Sequence, residues 1–230
     1  MKIAKRLFCM LGMALLALVA AACITWVAAD DASKAEVTES ILSAFDDPDK
    51  EQFEPIDWDS LPQEVVAWVE VPGTSISQPI AKADKGNPDA YLYLDALARG
   101  GYGTPYIDAD CTEESLLVPV YGHNMSDGSV FADFAKYGGE SFARAHSKIN
   151  LHARSGRSCE LAVIAVDVVD AGCETMCPNF DDAEVISKQV VKSDIVFREY
   201  DGTRQVFAFT TCSYQTANSR TVVYAVPASW

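Results

Sequence analysis

The sequence predicts a mostly β domain, folded as a closed or nearly closed β-barrel with short peripheral helices and preceded by an N-terminal transmembrane helix. Three observations carry this reading. A long uncharged apolar run opens the chain. Short β-branched and aromatic runs, separated by Gly, Pro, Asn and Asp, fill most of the remainder. Helical periodicity is confined to a few short stretches.

The apolar run is "LFCMLGMALLALVAAACITWVAA", 23 residues from Leu7 to Ala29. As a helix it would reach roughly 35 Å, enough for a hydrocarbon core of about 30 Å. Lys2, Lys5 and Arg6 precede it, which orients the N-terminus to the cytoplasm and the bulk of the chain outside. A retained signal-anchor is therefore expected over residues 1–29. Cleavage after the alanines before Cys23 is a second reading, although a signal peptide usually has an apolar core of only about 7–15 residues. Lipidation at Cys23 is a third, and Ala20 is a poor match to the aliphatic residue usual three positions earlier.

Residues 30–63 are polar and acidic, with weak helical patterning at "VTESILSAF" that Asp47-Pro48 ends. They read as a juxtamembrane stalk with short helices. The compact β-barrel domain is expected over 64–230. It starts at "EVVAWVEVPGTSISQPI", where partial alternation predicts a strand and Pro72-Gly73 a turn. Further strands are predicted at "GTPYID" (103–108), "SLLVPVYG" (115–122), "ELAVIAVDVVD" (160–170), "DIVFREY" (194–200), "RQVFAFTTC" (204–212) and "RTVVYAV" (220–226). Asp201-Gly202 is a hairpin signal between two of them. Helices are predicted at 129–137, 141–148 and 180–191.

Net charge is −15. Lys2, Lys5 and Arg6 against Asp30 give +2, so the exported part carries −17. That balance excludes nucleic acid as a partner, because phosphate binding needs clustered Lys and Arg. It reads as a solvated acidic face, with attraction of a cationic amine as the sharper alternative. Of seven cysteines, Cys111, Cys159, Cys173, Cys177 and Cys212 lie beyond the apolar run. Five is odd, so one stays unpaired or pairs with another molecule, and in an oxidising compartment the other four allow two disulfides in three connectivities. Cys173-x3-Cys177 lacks the second pair or nearby His that a zinc site needs, and no metal or cofactor is expected.

Three residues stand out chemically. His123 follows the apolar run "LLVPVYG" into a polar loop, whereas His146 and His152 lie in a polar, partly helical stretch and read as surface residues. Cys212 ends "VFAFTTC", and after a seven-residue loop "RTVVYAV" begins with Arg220. If these two strands form a hairpin, Cys212 and Arg220 oppose one another, and a permanently charged guanidinium beside a thiol favours the thiolate. A buried structural cysteine with a surface arginine fits the ribbon equally well.

The set "YGHNMSDGSVFADF", "TTC" and an Arg eight residues beyond that cysteine resembles the sortases, and class B in particular. "VVAWVEVPGTSISQPI", "YLYLD" and "GTPYID" resemble the same class in the same order. The resemblance covers roughly residues 64–226, and the 89 residues from His123 to Cys212 match the long class B insertion with its helix. It departs at Ala208-Phe209, where the family has Thr-Leu. The resemblance implies a membrane-anchored cysteine transpeptidase of Gram-positive bacteria. Such an enzyme cleaves an LPxTG- or NPxTN-like signal near the C-terminus of a secreted protein and joins it to a peptidoglycan cross-bridge or precursor amine. A variant of the class uses a pilin lysine as acceptor. It implies Cys212 as nucleophile, His123 as acid/base and Arg220 as oxyanion or substrate partner, with Tyr121, Thr210 and Thr211 in the substrate groove. Two other readings predict different outcomes. A non-catalytic surface-anchored binding protein would place His123 far from Cys212, and a cysteine protease would only hydrolyse.

Overall fold

The computed structural model describes residues 56–228 except 98, 113, 173–179, 214, 216 and 217. The apolar run of residues 7–29 and the cysteines at 173 and 177 lie outside them. No helix among the described residues is long and apolar enough to cross a membrane.

The chain from Trp58 onward forms one unit. Its strands are β1 (Val65–Glu70), β2 (Ser77–Lys82), β3 (Tyr106–Ile107), β4 (Leu117–Tyr121), β5 (Lys148–Ala153), β6 (Ser158–Asp170), β7 (Ile195–Val196), β8 (Val206–Cys212) and β9 (Ser219–Pro227). They run β5-β1-β2-β3-β4-β8-β9-β6 and close through β5–β6 pairing, while β7 adds to β6. Eight strands thus make a closed barrel, which removes the free edges that an open sheet would expose. The β2–β3 and β4–β8 pairs are parallel.

The barrel interior is apolar because inward positions alternate along each strand. Val69, Ile80, Val118, Val120, Ile149, Leu161, Phe209 and Val223 fill it. On long β6 the alternation slips at a bulge between Val163 and Ala165. The extra residue lets Val163 and Val166, three apart, both join the interior. A second apolar layer covers the outer face: Ile186 and Val190 of α2 (Ala183–Lys192) pack with Leu117, Ile164, Ala208, Val222 and Tyr224. Asp182 caps this helix by accepting from the Glu184 and Val185 amides.

The helices match their sequence signals with shifted bounds. The 129–137 stretch is a 3-10 helix, η2 (Ala132–Gly138), and 141–148 reduces to α1 (Glu140–Ala145). A short 3-10 turn, η1 (Ala90–Leu92), lies in the β2–β3 connection.

Three expectations are corrected. Asp201-Gly202 does turn the chain, with Asp201 accepting from the Thr203 amide and hydroxyl, but no hairpin forms there. Both edges of β8 are already occupied, by β4 and β9, so β7 pairs with β6 instead. The stretch around His152 is not helical: it is β5, paired to β1 and β6, and it closes the barrel. His152 itself is half-buried and hydrogen-bonds Ser158 through Nδ1 at 2.8 Å. Finally, Cys111 and Cys159 are free thiols, so two disulfides among the four extra cysteines do not form. Burial raises both thiols above the ordinary cysteine value.

Candidate active site

The site is built where β4 and β8 leave the barrel together. Their parallel register sets Tyr121 opposite Thr210, and the Gly122 amide donates to the Thr210 carbonyl at 3.0 Å. The next residues, His123 after β4 and Thr211 and Cys212 at the end of β8, therefore emerge at one rim. A side chain at 122 is excluded, since a Cβ would lie 2.4 Å from the Phe131 ring. Phe131 in turn opens the plug, residues 131–138, whose Phe131, Phe134 and Tyr137 are buried in the barrel core. Its amide donates to the His123 carbonyl at 2.9 Å, and its ring packs edge-on against Phe134 at 4.8 Å. The loop that carries His123 is thus nailed to the core at both ends.

Cys212 and Arg220 are cross-strand partners in the β8–β9 ribbon. Counting back by twos puts Cys212, Thr210 and Ala208 on the outer face, with Arg220, Val222 and Tyr224 beside them. The turn beyond them is clasped by Ser213 and Ser219. The Ser213 amide donates to the Ser219 carbonyl at 2.9 Å, and the Ser219 hydroxyl donates to the Ser213 carbonyl at 2.9 Å. The arginine is steadied by a bond from its Nη1 to the Ser219 carbonyl at 3.1 Å. Cys212, Arg220 and His123 are each partly exposed, whereas Thr211 and Thr221 next to the cysteine and arginine are buried.

Two contacts join the histidine loop to its surroundings. Asn124 Nδ2 donates to the Cys212 carbonyl at 2.9 Å, tying the loop to the end of β8. His123 Nε2 sits 2.9 Å from the Leu92 carbonyl in η1. Neither Asn124 nor Leu92 stands out in the sequence reading. Asn124 adjoins His123 in "GHN" and could have been suspected, but a main-chain carbonyl has no letter of its own.

The expected groove residues separate. Tyr121 lies on the outer face, its ring 5.5 Å from Tyr106 and its hydroxyl donating to Asp108 at 3.2 Å. Burial, with Asp89 and Asp108 nearby, pushes the Tyr106 phenol up to about 12. Thr210 shares the face of Cys212 but is buried, its hydroxyl turned to the Ala208 carbonyl at 3.3 Å. Thr211 points the other way, into the barrel, with 1% exposure. Its side chain does not share the surface of the thiol. His146 and His152 lie on α1's C-terminal end and on β5. Among the described residues no group of His, Cys, Asp and Glu is arranged to hold a metal.

A closed eight-stranded barrel, with a Cys–Arg pair ending one ribbon and a His on the strand exit beside it, defines a class. The family model of the sortase domain matches residues 69–228, and the chain belongs to the sortase family. The relatives found are class B. Sortase B of Listeria monocytogenes serovar 1/2a is 39% identical over 95 residues, which are 39% of this chain and 37% of that protein. The matched stretch thus spans little more than a third of that relative's length. Among solved structures, sortase B of Bacillus anthracis in complex with AAEK1 superposes with a TM-score of 0.67 at 22% identity, covering 86% of this chain and 97% of that one. Clostridium perfringens sortase B gives 0.63 at 22%, covering 72% and 94%. A Staphylococcus aureus sortase B–substrate complex gives 0.62 at 18%, covering 74% and 83%. These structures share the barrel.

Proposed function

We propose that this chain is a membrane-anchored class B sortase, a cysteine transpeptidase. It cuts an LPxTG- or NPxTN-like sorting signal and transfers the secreted protein to a peptidoglycan amine outside the cell. The observation that carries this is the convergence of His123, Cys212 and Arg220 at one rim of the barrel, each partly exposed.

The chemistry follows from the groups. The Cys212 thiolate attacks the scissile carbonyl, and the tetrahedral intermediate carries an oxyanion. Arg220 lies across the ribbon from the sulfur and supplies a planar fork of donors to that charge, which a lysine would not reproduce. His123 protonates the departing amine as the C–N bond breaks, leaving an acyl thioester on Cys212. The acceptor amine then attacks the thioester, gives its proton to His123, and expels the thiolate. Tyr121, on the same outer face, would flank the signal peptide. The apolar run at residues 7–29 would anchor the enzyme in the cell membrane of a Gram-positive bacterium, with the barrel outside. The substrate complex of the S. aureus protein, and a sortase B complexed with triglycine, support a peptide donor and an amine acceptor.

The test is direct. Incubate the reduced full chain with peptides carrying sorting signals and seek an acyl adduct on Cys212 by mass spectrometry. Added oligoglycine should convert hydrolysed product into ligated product. Absence of any adduct would remove the transpeptidase reading, and hydrolysis unchanged by amine would leave a protease.

A further inference from the structure

We infer that the Leu92 carbonyl and Gly103 fix His123 as its Nε2–H tautomer, so that Nδ1 is the ring atom that exchanges protons during the reaction. The reaction part rests on the transpeptidase reading; the tautomer does not.

The first step is donor logic. His123 Nε2 lies 2.9 Å from the Leu92 carbonyl oxygen, and a carbonyl can only accept. Nε2 therefore carries hydrogen whether the ring is neutral or charged. A neutral imidazole holds one N–H, so its lone pair is left on Nδ1. When the thiol ionises, its proton goes to Nδ1 and the ring becomes imidazolium, still donating to Leu92 through Nε2. The Nδ1 proton then leaves with the amine product, and the acceptor amine later restores it. One proton moves in each half-reaction, and the Nε2 proton never leaves.

The second step is why that carbonyl faces the ring. The chain returning through 101–104 takes up the neighbouring acceptors of the η1 region. The Gly101 amide donates to Tyr93, the Thr104 amide to Tyr91, and the Thr104 hydroxyl to Leu94, at 3.0, 2.9 and 3.1 Å. Leu92, between them, presents its carbonyl to His123.

The third step is Gly103. Its φ is +82°, and an added Cβ would lie 2.7 Å from the Tyr91 carbonyl, 2.8 Å from that of Leu92 and 2.9 Å from His123 Cδ2. Cδ2 is bonded to Nε2, so any side chain here would wedge between the ring edge and its acceptor. Gly103 is thus a positioning residue, acting through the histidine ring it leaves room for.

The molecule carries its own control. His146 Nδ1 lies 3.1 Å from the Pro72 carbonyl, so by the same logic its neutral form is the opposite tautomer, Nδ1–H.

Long-range proton–nitrogen correlation spectra of the full chain, with 15N-labelled histidine at a pH where the rings are neutral, decide the matter. His123 should show a pyrrole-type Nε2 and a pyridine-type Nδ1, and His146 the reverse. A pyridine-type Nε2 on His123 overturns the inference. In Gly103→Ala, His123 should become a tautomer mixture while the His146 pattern persists, which certifies the fold. Transpeptidation kcat should fall on the order of 10²-fold with KM little changed, and the pH profile of Cys212 alkylation should move. Unchanged His123 signals and profile in that variant would overturn the role of Gly103. If Gly103→Ala does not fold, the wild-type spectrum still decides the tautomer. A wild-type Nε2–H pattern without any acyl adduct would sink the reaction and leave the tautomer standing.

Discussion

Along the β8–β9 ribbon, inward and outward residues share the same backbone and meet different surroundings. Inward, Phe209, Thr211, Thr221 and Val223 are enclosed throughout. Outward, Ala208, Val222 and Tyr224 are covered by the layer under α2, and beyond that cover Cys212 and Arg220 come partly into solvent. A strand's two-residue period thus gives one face to stability and the end of the other to chemistry. The outward face turns reactive only where its apolar cover stops. Substitutions on the two faces should therefore separate cleanly into loss of turnover and loss of fold.

The largest separation is expected at Cys212. Cys212→Ala should show no acyl adduct and no turnover, with a denaturation midpoint close to that of the parent, since the side chain is at the rim. Mass spectrometry with a sorting-signal peptide and a urea titration check the two halves. A residual adduct would move the nucleophile elsewhere.

The inward counterpart is Phe209. Its ring is fully buried, stacked on Phe134 at 5.1 Å and 12° and edge-on to Phe131 at 6.2 Å. Phe209→Ala should cost about 3–5 kcal/mol of stability, read from chemical denaturation. Whatever protein stays folded should still acylate Cys212. Returning to the rim, Arg220→Lys keeps the charge and loses the fork. Its kcat should fall on the order of 10²-fold, the cost of removing one oxyanion donor, without a matching change in stability. An unaltered kcat would mean that charge alone suffices.

The same contrast explains what was legible in the sequence. The ribbon could be read because "VFAFTTC" and "RTVVYAV" are rich in β-branched and aromatic residues and are joined by a short polar loop. That placed Cys212 opposite Arg220 correctly. β5 was not readable. Ile149 and Leu151 do face inward, but Lys148, Asn150 and His152 between them disguise the strand, and of its two partners β1 is distant in sequence while β6 follows it directly. Asp201-Gly202 misled for a different reason. A turn is a local property, but pairing depends on which edges are free, and β8 has none to give. Leu92 could not be seen at all, because its contribution to His123 is a main-chain oxygen brought there by the path of 101–104.

The smallest expected effect lies at the plug, whose Phe134 stacks on the inward Phe209, and tests whether the two faces are independent. Asp133, in η2, receives the Ser75 amide at 2.8 Å and its hydroxyl at 3.0 Å, and pairs with Lys136 at 2.7 Å. The Ser75 hydroxyl also lies 2.9 Å from the Gly128 carbonyl, so its one proton is shared between two acceptors and Ser75 links the β1–β2 turn both to Asp133 and to the loop leading from His123. Burial pushes the Asp133 carboxyl up, but the bonds from Lys136 and Ser75 outweigh it and hold it below the ordinary value of 3.8. A depressed folded value means that the stabilisation is complete above the unfolded value and is lost as pH falls through the folded one. Asp133→Asn should cost about 1–2 kcal/mol at neutral pH. The gap to the parent should narrow as acid protonates the parent's carboxylate, which stability curves at pH 7 and near pH 3 would show. Acylation of Cys212 in the folded variant should stay within about twofold, well under the tenfold that 1.4 kcal/mol in a barrier represents. A larger loss would show that strain at the plug reaches His123 through its loop, and the two faces would then be coupled rather than separate.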